Sequence, residues 1–123
     1  MDTKTMVDRL RRIEDKKDDL VERAEEFFNK RKEQGGEVVP VDQTQLQNLL
    51  RLALSTTSVK EMELFIRYQE ARHKKWRDNN FGANLRKEIE ELANESPDIK
   101  LDIVRLFIGY FVREARFRRP EGE

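Results

Sequence analysis

The stretch Ser96-Pro97-Asp98-Ile99-Lys100-Leu101-Asp102-Ile103-Val104-Arg105-Leu106-Phe107-Ile108-Gly109-Tyr110-Phe111-Val112 decides the fold. Serine followed by proline is a helix start, because the hydroxyl caps a free N–H and proline has none to leave orphaned at the first helical position. From there to about Arg118 the apolar residues Ile99, Leu101, Ile103, Val104, Leu106, Phe107, Ile108, Tyr110, Phe111 and Val112 fall on nearly every side. A helix that is apolar all round has to be surrounded. The remaining chain must therefore supply the covering helices, and the expected fold class is all-α, a compact five-helix bundle centred on this segment.

The covering helices are legible from their stripes and caps. The first runs from about Thr3 to Gln34, with Met6, Leu10, Ile13, Leu20, Ala24 and Phe27 at alternating spacings of four and three, and Lys17 where the heptad fails. Val21 and Phe28 widen the stripe near its end. At 1.5 Å per residue such a helix is about 45 Å long, more than a small domain covers. Its first half is expected to project or to pack on another copy of the chain. Gly35-Gly36 stops it, and Glu37 to Val41, closed by Pro40, is a short extended connector carrying the only strand signal.

A second helix opens at Asp42, with Gln45 as its capping-box partner, Val41 and Leu46 as a staple, and Leu46, Leu49, Leu50, Ala53 and Leu54 as its buried side. Ser58 and Glu61 form another capping box and open a third helix expected to reach about Asp78, with Met62, Phe65, Ile66, Gln69, His73 and Trp76 on one side. Asn79-Asn80-Phe81-Gly82 breaks the chain. A fourth helix, Ala83 to Ala93, buries Leu85, Ile89 and Leu92. The whole of residues 1–123 reads as a single helical domain, with a long N-terminal helix over 1–35 and a four-helix body over 42–118.

Charge makes up 41% of the chain, and 25 Lys and Arg balance 25 Asp and Glu. The balance is global and not local. Residues 67–87 carry seven basic side chains against two acidic ones, and residues 103–119 five against one, while residues 88–102 hold six acidic groups and one Lys. A polyanion responds to the field of one face, so a chain of zero net charge can still bind phosphates. No stretch approaches the roughly 18 apolar residues of a membrane span. Met1 to Leu10 has no apolar core of the secretory kind, so a cytoplasmic location and no membrane partner are expected. The absence of cysteine excludes disulfides and thiolate metal sites.

Catalytic chemistry is hard to build from these residues. A nucleophile–base pair would depend on His73 alone, which lies where the apolar stripe of the third helix meets its basic face with no orienting carboxylate nearby in sequence. Glu88, Glu91 and Glu95 recur at helical spacing, but without an ExxH motif they read as a solvated acidic face and not as a metal site. There is no phosphate loop and no GxGxxG. The chain is expected to be no enzyme, with no cofactor, no metal and no small-molecule substrate.

Binding chemistry is richer. Arg67, Arg72, Lys74, Lys75 and Arg77 can track a sugar–phosphate backbone, each neutralised phosphate releasing counterions. Trp76 sits inside this run and reads as a core residue before it reads as a base-stacking one. Arg86 and Lys87 pair at i,i+4 with Glu90 and Glu91, a solvated face. Arg113, Arg116, Arg118 and Arg119 form a second patch at a helix C-terminus, where four arginines exceed what the helix dipole needs.

With these motifs in order, the chain resembles the small subunit of type III-A CRISPR effector complexes, the Csm small subunit family. The resemblance covers about Val41 to Phe117. It rests on Thr44-Gln45-Leu46-Gln47-Asn48-Leu49-Leu50, on Phe65-Ile66-Arg67-Tyr68-Gln69-Glu70-Ala71-Arg72, and on Leu106-Phe107-Ile108-Gly109-Tyr110-Phe111-Val112. It implies a compact five-helix protein stacked in several copies along a guide-RNA–target-RNA duplex, gripping RNA through basic side chains and cleaving nothing. Its partners would be guide RNA, target RNA, other subunits of the complex and its own copies. Arg67 and Arg72 match the family's basic helix positions, and Lys74, Lys75 and Arg77 extend them. Gln47 stands where many relatives carry a basic residue, with Arg51 one turn on as a substitute. The long charged first helix exceeds the family's N-terminal segment.

The expected RNA contacts are thus Arg51, Arg67, Arg72, Lys74, Lys75, Arg77, Arg116, Arg118 and Arg119. The competing reading is a protein-only helical adaptor that dimerises through the Met6–Phe27 heptad. A helix-turn-helix regulator ranks third, since no short glycine-containing turn precedes a basic recognition helix.

Overall fold

Gly35, at a φ of 83°, and Pro40 separate a long helix from four shorter ones in the computed structural model, which describes residues 2–119. Helix α1 spans Thr3–Glu33, α2 Gln43–Ser55, α3 Val59–Arg72, α4 Phe81–Glu95 and α5 Lys100–Arg118, with 3-10 segments at Lys74–Asn80 and Pro97–Ile99. The all-α bundle expected from the sequence is what forms. No strand occurs among the described residues, and Glu37 to Val41 is an irregular connector.

Helix α5 is the axis of the packing. Its Ile103, Val104, Phe107, Ile108, Phe111, Val112 and Ala115 are buried, and α1, α2, α3 and α4 all touch it. Helix α1 runs parallel to it, since Arg12 reaches Asp98 just ahead of α5 and the rings of Phe27 and Phe111 meet at 4.9 Å. Helix α2 runs the other way. Its start meets the far end of α5, where Gln43 donates to the Val112 carbonyl, and its end meets Arg105, which donates to the Ala53 and Thr56 carbonyls.

Phe27, Phe28, Phe81, Phe107, Phe111 and Trp76 form one aromatic cluster in this core, mostly edge-on or tilted. Each fully buried ring of this size stabilises by about 2–3 kcal/mol relative to exposure.

Three local expectations need correction. Helix α1 does not leave its first half projecting: Arg9 donates to the Asp98 carbonyl at 2.8 Å and Arg12 pairs with the Asp98 carboxylate at 2.5 Å, which lays that half along the body. Its Met6, Val7 and Leu10 nevertheless remain exposed. The capping box at Asp42 does not form, because the Gln45 side chain accepts a hydrogen bond from the Trp76 indole at 2.8 Å instead. Helix α3 ends six residues before Asp78, where His73 turns extended at φ −129° and ψ 112°. The capping box at Ser58 does form, with the Glu61 N–H donating to its hydroxyl at 3.1 Å.

Among the described residues no helix is long and apolar enough to cross a membrane.

Candidate nucleic-acid interface

The break at His73 builds the site. Continued as a helix, the basic run would keep its 3.6-residue period. The extended His73 and the following 3-10 turns instead drive Trp76 into the core at 0% exposure and leave Lys74, Lys75 and Arg77 on the surface. Trp76 packs edge-on against Phe81 at 5.7 Å and is not available to a base. Asn79 and Asn80 then adopt left-handed conformations, φ 43° and 60°, which asparagine tolerates better than other side-chain-bearing residues, and these reverse the chain into α4.

These cations surround the connector between α1 and α2, and that connector is held from two sides. From below, the buried Arg31 donates to the Val38, Glu37 and Asp78 carbonyls at 2.9, 2.8 and 3.2 Å and pairs with the Asp78 carboxylate at 3.1 Å. Its burial pushes the guanidinium below its usual pKa, an effect that Asp78 opposes. From the other side Arg119 donates to the Val41 carbonyl and to Gln43 Oε1. A cleft of about 380 Å³ lined by Lys75, Arg118 and Arg119 opens on one side of the connector. A second, of about 330 Å³, is lined by Lys74, Lys75 and Arg77. Lys75, Pro40 and Glu37 belong to both. Residues from two elements distant in sequence thus meet at one end of the molecule.

The acidic segment is engaged elsewhere. Arg23 of α1 pairs with Glu88 and Glu95 at 2.9 Å and with Glu91 at 3.4 Å, while Arg12 holds Asp98. Partial burial works to lower the Arg23 pKa, and the hydrogen bonds from Glu95 and Glu88 outweigh it, leaving the value raised. The carboxylates that read as a solvated face are therefore the docking surface of α1. Arg86 does not pair with Glu90; it forks onto Glu70 of α3 at 2.7 and 3.0 Å. Near the connector the acidic groups are Glu37, Asp42 and the Asp78 already paired with Arg31.

The expected contact residues divide accordingly. Lys74, Lys75 and Arg116 are exposed, and their side chains make no hydrogen bond or ion pair among the described residues. Arg72 lies over the Tyr68 ring and donates to its hydroxyl at 3.1 Å, and Arg77 donates to the Glu70 carbonyl at 3.2 Å, which leaves both with N–H groups to offer. Arg118 is committed to Glu114 at 2.5 Å and Asn29 at 2.8 Å, and so anchors α5 more than it attracts anions.

Arg51 and Arg67 are not brought to the clefts. Arg51 donates to Asn48 Oδ1, eight residues or about 12 Å along α2 from Gln43 at the connector. Arg67 is exposed on α3, about 140° around the axis from Arg72 at 100° per residue.

Arg31, Arg113 and Phe117 stand out more in the structure than the sequence reading assigned them: Arg31 holds the connector, whereas Arg113 lines the groove that Leu10, Ile13, Leu54 and Tyr110 wall. Arg31 continues the α1 stripe four residues after Phe27, a position where an apolar residue is due, and that is the signal it offers. Arg113 lies 5.9 Å from the Tyr110 ring centre and is exposed. Phe117 falls off the buried stripe that ends at Ala115 and is 80% exposed.

Among the described residues no cluster of His, Cys, Asp or Glu is arranged to hold a metal ion. No family model, no curated protein and no solved structure matches the chain.

Proposed function

We propose that the chain is a non-catalytic small subunit of a type III-A CRISPR ribonucleoprotein, gripping guide or target RNA by its backbone without regard to sequence. Phosphate contacts position such a protein, and base pairing between guide and target supplies the sequence choice. The observation that carries the reading is Lys75, which stands between a cleft shared with Lys74 and Arg77 and a cleft shared with Arg118 and Arg119. The two clefts join cations of the 3-10 segment to cations at the end of α5, while the acidic run of α4 is occupied by α1. The family resemblance in α2, α3 and α5 adds the ribonucleoprotein context. One subunit touches few phosphates and gains avidity from stacked neighbours.

The test is fluorescence anisotropy with labelled RNA across a salt series. The triple variant Lys74→Glu, Lys75→Glu, Arg77→Glu is expected to bind more weakly, with a log K against log salt slope shallower by about 2, since each single-strand phosphate contact contributes about 0.7. An unchanged affinity and slope would remove this end as the RNA site. Arg67→Glu, on another side of α3, serves as the control.

One observation favours a second reading, a protein-only adaptor that self-associates through α1. Met6, Val7 and Leu10 are exposed on α1, and Leu10 and Ile13 wall a groove with Leu54, Leu106 and Tyr110. Contiguous apolar surface of this kind marks protein contacts. Sedimentation of the Leu10→Glu variant distinguishes them: loss of a dimer with RNA affinity absent from the parent chain supports the adaptor.

A further inference from the structure

The chain has seven phenylalanines. Phe27, Phe28, Phe81, Phe107 and Phe111 are buried and Phe65 packs against the core, yet Phe117 is 80% exposed, the most exposed large apolar residue among those described. It contributes nothing to the core, and its neighbours are cations: Arg113 one turn back, Arg116 beside it, and Arg118 and Arg119 after it. The nearby carboxylate, Glu114, is taken by Arg118.

The end of a helix normally frays, but this one is fastened. Arg118 holds Asn29 and the Glu25 carbonyl of α1, and Arg119 holds Gln43 and the connector. The Phe117 ring therefore stands on fixed backbone, with Arg113 exposed on the same helix face one turn back and Arg116 exposed about 100° around the axis. An exposed aromatic face on fixed backbone, with arginines that no carboxylate pairs among the described residues, suits a ligand that is both anionic and flat.

We infer that Phe117 is a stacking platform for an unpaired nucleobase, with Arg116 and Arg113 taking the adjoining phosphates, so that the basic end of the molecule prefers single-stranded RNA to duplex. This rests on the RNA-binding reading and refines it. A duplex keeps its base faces occupied by stacking, whereas a single strand offers every face to an aromatic side chain. Arg119 links the platform to the cleft it shares with Lys75, so a strand leaving Phe117 continues onto the lysines.

The experiment compares the full-length chain with Phe117→Ala, Phe117→Leu and Phe117→Trp, using a 12-nucleotide oligoadenylate strand and a blunt 12-base-pair RNA duplex at low salt. Phe117→Ala and Phe117→Leu are expected to lose about tenfold in affinity for the strand and nothing for the duplex, and Phe117→Trp to bind as the parent does. The added tryptophan is expected to be quenched by the strand, a signal that the buried Trp76 does not give. An exposed residue leaves the thermal melt in place, so each variant can be checked for folding.

If the parent binds neither RNA, the RNA-binding reading falls and the platform falls with it. If the parent binds both, while Phe117→Ala binds the strand normally and Phe117→Trp is not quenched, the platform alone is overturned. Loss of self-association in Phe117→Ala with RNA binding intact would also overturn it, and would assign the ring to a protein contact.

Discussion

Arg31 shows how much one side chain can hold. At 3% exposure it satisfies three backbone carbonyls and one carboxylate and lies 5.1 Å from the Phe81 ring centre. Replacing it with methionine keeps the volume and strands those acceptors, each unsatisfied group costing about 1–3 kcal/mol. We expect Arg31→Met to lower unfolding stability by about 3 kcal/mol in urea titration and to loosen the connector between the two basic clefts. Gly82 is a smaller case of the same kind. A methyl there would lie 2.6 Å from Glu70 Cγ, and Glu70 is fixed by its fork to Arg86, so Gly82→Ala should cost about 1–3 kcal/mol in the same assay. The sequence read Trp76 as a core residue on a continuous stripe with Met62, Phe65, Gln69 and His73; the residue is buried, but from the 3-10 segment that follows the end of α3. The sequence misassigned Gln45, because a capping box and an indole acceptor ask for the same side chain and only the fold brings Trp76 to it.

Helix α1 is joined to the body by chemistry that differs along its length. Its second half is buried through Leu20, Ala24, Phe27 and Phe28, whereas its first half is held by Arg9 and Arg12 on Asp98 and by the half-buried Ile13. The hydrogen bond from Arg12 holds the Asp98 carboxyl below its ordinary value of 3.8. A depressed carboxylate pKa contributes its stability in full above the ordinary value and loses it as pH falls through the depressed one. The first half of α1 should therefore detach in acid before the second half does. Both partners are about half exposed, so added salt should weaken the same contact. Hydrogen exchange by mass spectrometry provides the check: amides of residues 3–13 should lose protection as pH falls below the ordinary carboxylate value, and in Asp98→Asn at neutral pH, while residues 20–28 keep theirs. Equal loss in both halves would show that the pair has no local role. Periodicity gave this helix its limits to within a residue, but it overran α3, because His73 continues the apolar stripe and nothing local marks the residue where the chain turns extended.

The distribution of charge is a property of the assembled chain and was only half visible beforehand. Local counts located the basic runs, but not that α1 would absorb the acidic one through Arg12 and Arg23, nor that Lys75 and Arg119, 44 positions apart in sequence, would share a cleft. Those are long-range pairings, set by which helices pack on α5. The same packing bears on whether residues 42–118 stand as a body in their own right. Leu20, Phe27 and Phe28 each supply about 2 kcal/mol of burial, roughly 6 kcal/mol together, within the 5–15 kcal/mol that separates a folded domain from its unfolded chain. Removing α1 would also bare Phe81 and Phe111 and leave Glu88, Glu91 and Glu95 facing one another without Arg23. We expect a chain starting at residue 35 to show no cooperative thermal transition and to bind a hydrophobic dye, with its RNA affinity lost through unfolding and not through lost contacts. A cooperative melt would instead make the four-helix body self-sufficient, and α1 would then be an appendage free to serve another copy.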